Sequence, residues 1–511
     1  MKFRVEREAL GEAVAWVARA LPARPVIPVL SGLLVEAASS GLTLSCFDYE
    51  VSARVVIPAE VAEPGTALVP GRLLAEITRS LPQRDVEISS VADMVSLRCG
   101  SAEFELVSLP VEEYPGLPEP PAAAGTVDGG VLAAAAAQVV PSASRDDTLP
   151  MLTGVCVDID GTAMTLAATD RYRLAVRTVD WTPAVAGLRA AALVPARTLA
   201  DVARTMDAGI PVTIAFTTPA EDAGPRPAEP HPAGGMISFE GGGRRLTARL
   251  IGADFIRYRS RFPAEFGCRA ELQAEPFMAA VRRVSLVADR ASPVRLTFGG
   301  GEVAIEAHTD GRARAAESVP SSFTGAESVI SFNPHYLLDG LAAAAICGAA
   351  VRTPPGAGRR ADGEDGAAAA AQPAAAPPEP GRIRLEFTSP AKPALITWAG
   401  YDADLAGAAD PEAADTGAAD PEAAETGVAG QDAGGTPASQ DGAGATGLSE
   451  AGTGATGVSE AGTGATGVSE AGVSEAGASQ DGAAEGAVSE PAFRYLVVPL
   501  RSPAGTGVTR G

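Results

Sequence analysis

One short polar corner occurs three times along the 511-residue chain, each time between runs in which apolar and polar residues alternate. The aspartates at the three corners, Asp48, Asp170 and Asp310, lie 122 and 140 residues apart. Alternation predicts strands, and an aspartate at a bend can fix it by accepting hydrogen bonds from the local backbone. A pattern that repeats over such a period predicts one structural unit present in three tandem copies.

A second pattern recurs in step with the first. The sequence Ala-Leu-Val-Pro-Gly-Arg around Pro70 is similar to Ala-Leu-Val-Pro-Ala-Arg around Pro195, and a looser copy surrounds Pro334. These prolines lie 125 and 139 residues apart, close to the spacings of the aspartates. Because two independent markers agree on one period, the triplication constrains the fold more than any local motif does.

Each unit is predicted to contain two helices and a set of antiparallel strands, which makes an α+β module with its helices on one face. The predicted helix pairs span about residues 6–20 and 72–81, 131–140 and 197–206, and 276–287 and 334–346. We predict domains at 1–122, 123–268 and 269–502, the third interrupted by low-complexity inserts at about 354–380 and 402–490, and a tail at 503–511. Three such copies predict an arc-shaped protomer, and arcs with a head and a tail can close into rings.

The acidic charge is concentrated in one segment. The formal net charge is −23, but 17 acidic residues and no Lys or Arg lie between Tyr401 and Phe493, which leaves −6 for the rest of the chain. The overall acidity therefore says little about what the folded part binds. The segment is repetitive and poor in core-forming residues, so disorder is predicted there. The β-like run from Phe493 to Leu500 is predicted to be the last strand of the third unit, because closing a long loop costs only slowly growing entropy.

The residue types that usually carry catalysis or bind metals are scattered. The five cysteines form no Cys-x-x-Cys pair, and most lie in apolar runs, as reduced core residues do. The three histidines fall in different segments, so neither a Ser-His-Asp set nor a histidine metal cluster is evident. We therefore expect a non-catalytic protein without a metal or cofactor. The start of the chain resembles no secretion signal, and no apolar run reaches about 18 residues, so a cytoplasmic protein without membrane contact is expected.

With these features the chain resembles the bacterial sliding clamp, the β subunit of DNA polymerase III, of the actinobacterial type. The stretches that carry the resemblance are Met1-Lys-Phe-Arg-Val-Glu-Arg-Glu8, Arg24-Pro-Val-Ile-Pro-Val-Leu30, Glu63-Pro-Gly65, Ala168-Thr-Asp-Arg-Tyr-Arg-Leu-Ala-Val176, Asn333-Pro-His-Tyr-Leu-Leu-Asp339, Thr388-Ser-Pro-Ala-Lys-Pro-Ala-Leu395 and Tyr495-Leu-Val-Val-Pro-Leu-Arg501. The resemblance covers nearly all of the chain except the two inserts and the tail. It implies the DNA clamp fold and a replication processivity factor, a head-to-tail homodimeric ring of six such units around duplex DNA. In this family the helices line the hole and the strands form the outer rim.

The resemblance and the charge pattern together select candidate DNA contacts. A ring that slides must hold phosphates without reading bases, so weak, salt-sensitive arginine contacts suffice. Three arginines match family positions, namely Arg24, Arg145 and Arg197. Others lie on predicted helices: Arg72, Arg79, Arg204, Arg282 and Arg283. For this second group, ordinary solvated helix charges are the alternative interpretation.

The family also binds short linear peptides of replicative polymerases, the clamp loader and repair proteins, in a groove between the second and third units. Carrying that groove over position by position gives Leu152, Thr169, Arg171, Tyr172, Arg173, Leu174, Arg261, Tyr336, Leu496, Val498, Pro499, Leu500 and Arg501. An apolar groove suits apolar anchor side chains, at about 25 cal/mol per Å² buried. For the leucines at 152, 174 and 496, plain core packing is the alternative. The chain departs from the family pattern at Arg171, Ile256 and Arg261, where two added guanidinium groups could alter which peptides fit.

The dimer contact is predicted to join Leu286 and Val287 of one copy to Leu73 and Leu74 of another. Three other functions stay open at this point. The chain could be a clamp paralogue with altered partner choice, or a scaffold or adhesin built on the acidic repeats. It could also be a carbohydrate-active enzyme, which would need paired carboxylates about 5 to 10 Å apart in a cleft.

Overall fold

The computed structural model describes residues 1–205, 209–217, 235–289, 292–309, 312–350, 381–399 and 492–500. These residues belong to one compact unit, Met1–Ala406 with Ser489–Gly511. A second unit, Gly407–Val488, lies outside the described residues, as do Asp310, Arg501, the tail and both inserts. The predicted disorder of the acidic segment therefore stays a prediction.

Three successive groups of elements follow the predicted triplication, and we call them modules 1, 2 and 3. Module 1 contains β1 (Lys2–Val5), α1 (Arg7–Val17), β2 (Gly32–Ala38), β3 (Gly41–Phe47), β4 (Val51–Ile57), β5 (Glu60–Glu63), β6 (Gly65–Pro70), α2 (Gly71–Ser80), β7 (Val86–Val91), β8 (Met94–Cys99) and β9 (Ala102–Val107). Module 2 contains β10 (Ala123–Asp128), α3 (Gly129–Val139), α4 (Pro150–Thr153), β11 (Gly154–Asp160), β12 (Ala163–Thr169), β13 (Arg173–Asp180), β14 (Thr182–Pro183), β15 (Arg189–Pro195), α5 (Ala196–Ala203), β16 (Pro211–Phe216), β17 (Met236–Gly241) and β18 (Arg244–Arg249). Module 3 contains β19 (Cys268–Gln273), α6 (Ala274–Val284), β20 (Val294–Gly299), β21 (Glu302–Thr309), β22 (Ala313–Thr324), β23 (Ser328–Phe332), α7 (Pro334–Ala350), β24 (Arg382–Phe387), β25 (Ala394–Trp398) and β26 (Phe493–Val497).

The order of elements is the same in the three modules once β5, β14 and the short α4 are set aside. Each has one strand, a helix, four strands, a second helix and three strands. The strand after the corner aspartate is thus β4, β13 and β22, and the last strand is β9, β18 and β26. The predicted α+β module in three tandem copies is confirmed.

The corner aspartates do what the sequence predicts in the two copies that are described. Asp48 Oδ1 accepts hydrogen bonds from the backbone N–H groups of Glu50, at 3.0 Å, and Val51, at 2.7 Å. In module 2 the Oδ1 atom of Asp170 accepts from the N–H groups two and three residues further on, at 3.0 and 3.1 Å. In both corners the residue after the aspartate has a positive φ, 73° for Tyr49 and 81° for Arg171. The bend is therefore a local property of the aspartate.

The proline marker lies at a strand-to-helix junction in every module. Strand β6 passes into α2 at Pro70, β15 passes into α5 at Pro195, and β23 is followed by α7, which begins at Pro334. Helix α2 has a clear buried face that includes Leu74 and Ile77. A proline near the first helical residue is favourable because the N–H group that it lacks has no partner inside the helix.

The strands form sheets that cross the module boundaries. One five-stranded sheet has the order β5-β1-β7-β8-β9, and one nine-stranded sheet has the order β14-β10-β16-β17-β18-β4-β3-β2-β6. A twelve-stranded sheet has the order β15-β11-β12-β13-β26-β25-β24-β19-β22-β21-β20-β23. Modules 1 and 2 are joined by β4 pairing with β18, and modules 2 and 3 by β13 pairing with β26, both antiparallel. The C-terminal run is thus the last strand of module 3, as predicted.

The helices pack in pairs within each module, α1 with α2, α3 with α5 and α6 with α7. Helices α3 and α7 also meet across the boundary between modules 2 and 3. There the buried Gln138 side chain donates from Nε2 to the carbonyl of Ala343 at 2.7 Å. The apolar faces of the helices and sheets merge into one large core cluster, which includes Val14, Leu199 and Phe277.

Several element predictions were wrong in detail. The apolar run Leu152–Ile159 predicts a strand in the sequence, but the strand begins at Gly154 because Pro150–Thr153 forms the short helix α4. The helix predicted at 6–20 is α-helical to Val17 and continues as one 3-10 turn to Ala20, and the helix predicted at 197–206 ends earlier, at Ala203. No strand was predicted where β5, β10, β14, β15, β16, β19 and β22 lie. Strand β22 is rich in Ala and Ser and exposed along most of its length, so it lacks the apolar alternation that marks a half-buried strand.

Candidate functional site: a groove at the boundary of modules 2 and 3

The pairing of β13 with β26 brings the main parts of the predicted groove together. Leu174 of β13 lies directly opposite Leu496 of β26. Beyond the end of β26, the N–H group of Val498 donates to the carbonyl of Tyr172 at 2.8 Å. The N–H group of Leu500 donates to the carbonyl of Ser331 at the same distance. Residues that are more than 300 positions apart in the sequence therefore line one site.

An apolar cluster separate from the main core lies at this site. Its buried members are Cys156, Ala167, Leu174, Val176, Leu193, Tyr258, Leu395 and Leu496. Partly buried apolar residues surround it: Met151, Ile251, Ala253, Phe255, Ile256, Phe262 and Phe266. Since these outer residues keep part of their apolar surface exposed, the cluster can take up apolar side chains of a ligand.

The segment between β18 and β19 is fixed over the cluster by polar contacts. Tyr258 Oη donates to Asp158 Oδ2 at 2.7 Å, and Arg259 Nη2 donates to the same oxygen at 2.9 Å. Burial first, and then the hydrogen bond to Asp158, raise the pKa of Tyr258 above its ordinary value, so the phenol stays a donor. Arg261 is exposed on the single helical turn Arg259–Arg261 that follows.

The predicted groove residues fall into two sets. Leu152, Leu174 and Leu496 are each 5% exposed, so plain packing accounts for most of their surface, and Leu174 and Leu496 belong to the apolar cluster. Tyr172 and Val498 are 50% and 36% exposed and border the site. Thr169 is buried, and its hydroxyl donates to the carbonyl of Arg173 at 2.6 Å. Tyr336 and Leu500 are half-buried, Pro499 is buried and Arg171 is exposed.

Arg173 does not have the exposed guanidinium group that a peptide-contacting residue needs. Its side chain is 10% exposed and forms ion pairs with Asp170 and Asp339. Sequence reasoning missed Asp339 as a site residue, as well as the aromatic residues Phe255, Phe262 and Phe266. The aromatic residues left a signal, because apolar residues are dense in this loop segment. The pairing with Asp339, which is 166 positions away, left none.

All of the candidate DNA-contacting arginines are exposed. Three of them lie around one short segment. Arg72 Nη2 donates to the carbonyl of Pro22 at 2.9 Å, and Arg197 lines a cavity together with Pro22 and Ala23, which directly precede Arg24. This grouping places the residues Arg24, Arg72 and Arg197 near the boundary of modules 1 and 2.

Two other arginines are already paired within the chain. Arg204 pairs with Asp201, and Arg283 makes two hydrogen bonds to Glu317, at 3.0 and 2.5 Å. Their charges are locally compensated, which makes them weaker candidates for phosphate contacts. The i, i+3 spacing of Asp201 and Arg204 was visible in the sequence, whereas the pairing of Arg283 with Glu317 was not.

The four residues predicted at the dimer contact differ in exposure. Leu286 and Leu73 are 84% and 45% exposed, and Val287 is partly buried. Leu74 is 3% exposed and packs inside module 1, because it faces the core side of α2. Its side chain is therefore not available to a partner, which corrects that part of the prediction.

The described part of the chain has no group of three or more His, Cys, Asp or Glu residues placed to hold a metal ion. Within the same residues, no helix is long and apolar enough to cross a bilayer. The Cys46 and Cys156 thiols are buried, and burial raises the pKa of each to about 12. These two cysteines are thus small core residues, as predicted.

The fold and the groove together define a class of protein, the sliding clamps. The solved structure of a sliding clamp from Pseudomonas aeruginosa bound to griselimycin superposes with a TM-score of 0.64 at 23% identity, covering 79% of this chain and 96% of that one. A match at this identity establishes the fold.

The chain belongs to the DNA polymerase III beta subunit family. The N-terminal, central and C-terminal domains of that family match residues 1–118, 126–256 and 259–352. The beta sliding clamp of Streptomyces coelicolor is 51% identical over 343 residues, covering 67% of this chain and 88% of that protein. The beta sliding clamp homolog GriR of Streptomyces muensis is 42% identical over 341 residues, with the same coverage of both proteins. The family consists of non-catalytic processivity factors, so the chain is not an enzyme.

Proposed function

We propose that two copies of this chain close head to tail into a ring around duplex DNA, slide along it and tether partners through the groove. The partners are the replicative polymerase, the clamp loader and repair proteins, each contributing a short linear peptide. The observation that carries the proposal is the repeated boundary: one strand pairing joins modules 1 and 2 and again joins modules 2 and 3. The soluble cytoplasm, where the chromosome is replicated, is the proposed location.

The same pairing rule supports a specific contact between copies. At each internal boundary the last strand of one module pairs with the strand after the corner aspartate of another, β18 with β4 and β26 with β13. The strands left over are β9 and the first part of β22. Among the described strands, β9 pairs with β8 alone, and Ala313–Pro320 of β22 pair with β21 alone. Pairing of β9 with β22 of a second copy would repeat the boundary a third time.

Exposed apolar residues near these strands support this contact. Val107, the last residue of β9, is 64% exposed, and Leu286, just beyond α6, is 84% exposed. Apolar residues that are exposed at an unpaired sheet edge favour association. Leu73 and Val287 remain in the proposed contact, whereas Leu74 is left out because it is buried.

The principal DNA contacts that we propose are the three arginines near the boundary of modules 1 and 2, namely Arg24, Arg72 and Arg197. Arg79, Arg145 and Arg282 are exposed and remain candidates. Topological linkage holds a closed ring on DNA, so these contacts need only be weak and salt-sensitive. The acidic segment does not oppose this proposal, because the rest of the chain carries a charge of only −6.

The groove is proposed to hold peptides through an apolar anchor that lies over the floor formed by Leu174 and Leu496. An affinity in the micromolar range, about −8 kcal/mol, would let partners exchange. Griselimycin, which the Pseudomonas aeruginosa clamp binds, is proposed to bind here as well. Exposed Arg171 and Arg261 border the site and are proposed to modulate which peptides fit.

Light scattering of the full-length chain, combined with griselimycin titration, tests both halves of the proposal. We expect the mass of a dimer, saturable binding with one site per chain, and displacement of a labelled partner peptide. A monomer at micromolar concentration would contradict ring formation. Binding that survives the Leu496→Thr substitution unchanged would contradict the location of the site.

A clamp paralogue with altered partner choice is the second candidate, favoured by the 42% identity to GriR and by Arg171 and Arg261. The higher identity to the Streptomyces coelicolor clamp supports the general replication role instead. Replacing the main clamp gene of the host with this one separates the two proposals. Growth at the normal rate supports the general role, and failure to grow despite normal expression supports the paralogue.

A further inference from the structure

Arg173 differs from the other groove residues because three acceptors and one aromatic ring of the protein itself engage its guanidinium group. Its Nε donates to Asp170 Oδ2 at 2.9 Å, and its Nη1 donates to Asp339 Oδ2 at 2.5 Å. Its Nη2 donates to the carbonyl of Pro141, and the guanidinium carbon lies 4.5 Å from the ring centroid of Tyr336. These hydrogen bonds use three of the five N–H donors of the guanidinium group, and the side chain is only 10% exposed.

These contacts connect the two sides of the groove. Arg173 belongs to module 2, whereas Asp339 and Tyr336 belong to α7 of module 3. The connection extends further, because the ring of Tyr172 stacks on Tyr336 with centroids 6.0 Å apart. Tyr495 Oη also donates to the carbonyl of Tyr336 at 2.7 Å. Arg173 is therefore the charged centre of a link between the module 2 wall and the module 3 wall.

The corner itself does not require an arginine. Three residues after the corner aspartate, module 1 has Val51 where module 2 has Arg173. Asp48 nevertheless accepts the same backbone hydrogen bonds as Asp170 does. The side chain of Arg173 thus serves something that is particular to the boundary of modules 2 and 3.

The equivalent place at the boundary of modules 1 and 2 contains a cavity. The third and sixth residues of α5 are Thr198 and Asp201, and those of α7 are Tyr336 and Asp339. Thr198 and Asp201, with Val51, line a cavity of about 250 Å³. Asp201 pairs with Arg204 of its own module there. At the boundary of modules 2 and 3, Arg173 and its partners therefore occupy the place that is a cavity at the boundary of modules 1 and 2.

We propose that Arg173 is a positioning residue. It ties the corner of module 2 to α7 of module 3 and so holds the walls of the groove at the separation that a peptide needs. The inference rests on the proposed peptide-binding function of the groove. A positioning role differs from a direct peptide contact in two ways. Asp339 should be as necessary for binding as Arg173, and loss of either residue should weaken every groove ligand, whatever its charge.

Affinity measurements on full-length variants test the proposal. The probe is a fluorescein-labelled partner peptide with one apolar anchor, followed by fluorescence anisotropy, and the variants are Asp339→Asn, Arg173→Val and the double variant. Asp339→Asn is expected to weaken binding about tenfold, the effect of losing one charge-assisted hydrogen bond. Arg173→Val should weaken it at least as much, and the double variant no more than Arg173→Val alone, because the two residues act as one link.

Asp201→Asn is the matched control, since it alters the equivalent aspartate at the first boundary and should leave the affinity unchanged. Thermal unfolding of each variant shows that the chain still folds, and the mild Asp339→Asn change keeps the test decisive if Arg173→Val does not fold. Parental affinity in Asp339→Asn would overturn the proposal, and a loss confined to Arg173→Val would make Arg173 a direct contact. If the unmodified chain binds no peptide, the proposed function of the groove fails instead.

Discussion

The two internal boundaries of this chain share one backbone plan and differ in their side chains. At the first boundary Ser52 of β4 lies opposite Thr247 of β18. Four residues after the next corner aspartate, Leu174 takes the place of Ser52 and lies opposite Leu496. The pairing is the same, but the first pair is polar and the second apolar. The sheet therefore sets the geometry of a boundary, and a few residues decide whether it can bind an apolar ligand.

The first boundary is also covered by the chain itself. Residues 114–120, between modules 1 and 2, line a cavity there with Ser45, Ser52 and Thr247. The N–H group of Phe47 donates to Tyr114 Oη at 2.8 Å, which fixes this segment in place. At the second boundary the apolar cluster keeps partly exposed aromatic residues instead. Duplication thus produced two similar sites, of which one is polar and covered and the other is apolar and partly exposed.

The largest effect is expected on dimer formation, at the proposed contact where the boundary strand pairing is repeated between two copies. Val107→Lys together with Leu286→Lys adds two charges to the proposed contact, and burying unpaired charges costs several kcal/mol. We expect the dimer to dissociate at least 100-fold more readily, measured by light scattering over a dilution series. Val185→Lys is the control, because Val185 is 65% exposed and lies in module 2, between β14 and β15. A double variant that remains dimeric at the lowest concentration would contradict the contact.

A second change places threonine, the residue at position 247 of the first boundary, at the equivalent position 496 of the second boundary. Leu496→Thr should lower peptide affinity about tenfold and destabilise the fold by about 2 kcal/mol, because it removes buried apolar surface from the groove floor. Peptide titration and thermal unfolding measure the two effects. Thr247→Leu, the reverse change at the first boundary, should create no peptide binding there, since residues 114–120 cover it. New binding in Thr247→Leu would show that residue polarity alone separates the two boundaries.

The arginines around the first boundary allow a finer comparison. Arg24→Ala and Arg197→Ala should each reduce the salt dependence of DNA binding by about 0.9 in slope, the value for one lost phosphate contact. Arg204→Ala should change it little, because Arg204 already pairs with Asp201. Filter binding between about 50 and 200 mM salt measures the slopes. If the DNA affinities of all three variants depended equally on salt, the proposal that unpaired arginines contact phosphates and paired ones do not would be wrong.

The smallest effect concerns the thiol beneath the groove. Because burial raises the pKa of Cys156 to about 12, its thiolate is scarce at pH 8, and the thiol should resist alkylation. The sign follows from the raised pKa: reactivity should increase only as the pH approaches that value or as the chain unfolds. Mass spectrometry after iodoacetamide treatment of the folded chain measures the modification. Rapid labelling of Cys156 at pH 8 would mean that the groove floor opens readily.

The sequence predicted those features that local chemistry dictates. The Asp48 and Asp170 corners and the strand-to-helix junctions follow from residues within a few positions of each other, and their repetition revealed the triplication. The groove residues followed from a family resemblance, but their roles did not. The engagement of Arg173 by Asp339 depends on packing between modules, which no local pattern encodes.

Other misses have the same physical origin. Leu73 and Leu74 are neighbours in sequence, and only the packing of α2 decides that one is exposed and the other buried. Strand β22 was missed because much of it is exposed at a sheet edge that lacks a partner among the described strands. We propose that β22 pairs with a strand of a second copy. Such a strand does not need the apolar alternation of a strand that is buried within one chain.

Retention on DNA tests the central proposal most directly. The full-length chain is loaded by its cognate clamp loader onto a nicked circular plasmid, freed of unbound protein by gel filtration, and then compared before and after one restriction cut. Encirclement predicts that the protein stays with the circle at moderate salt and is lost from the linear DNA within minutes, with the arginine contacts altering only the rate. Equal retention on circular and linear DNA, or equal loss from both, would contradict a ring that holds DNA by topology.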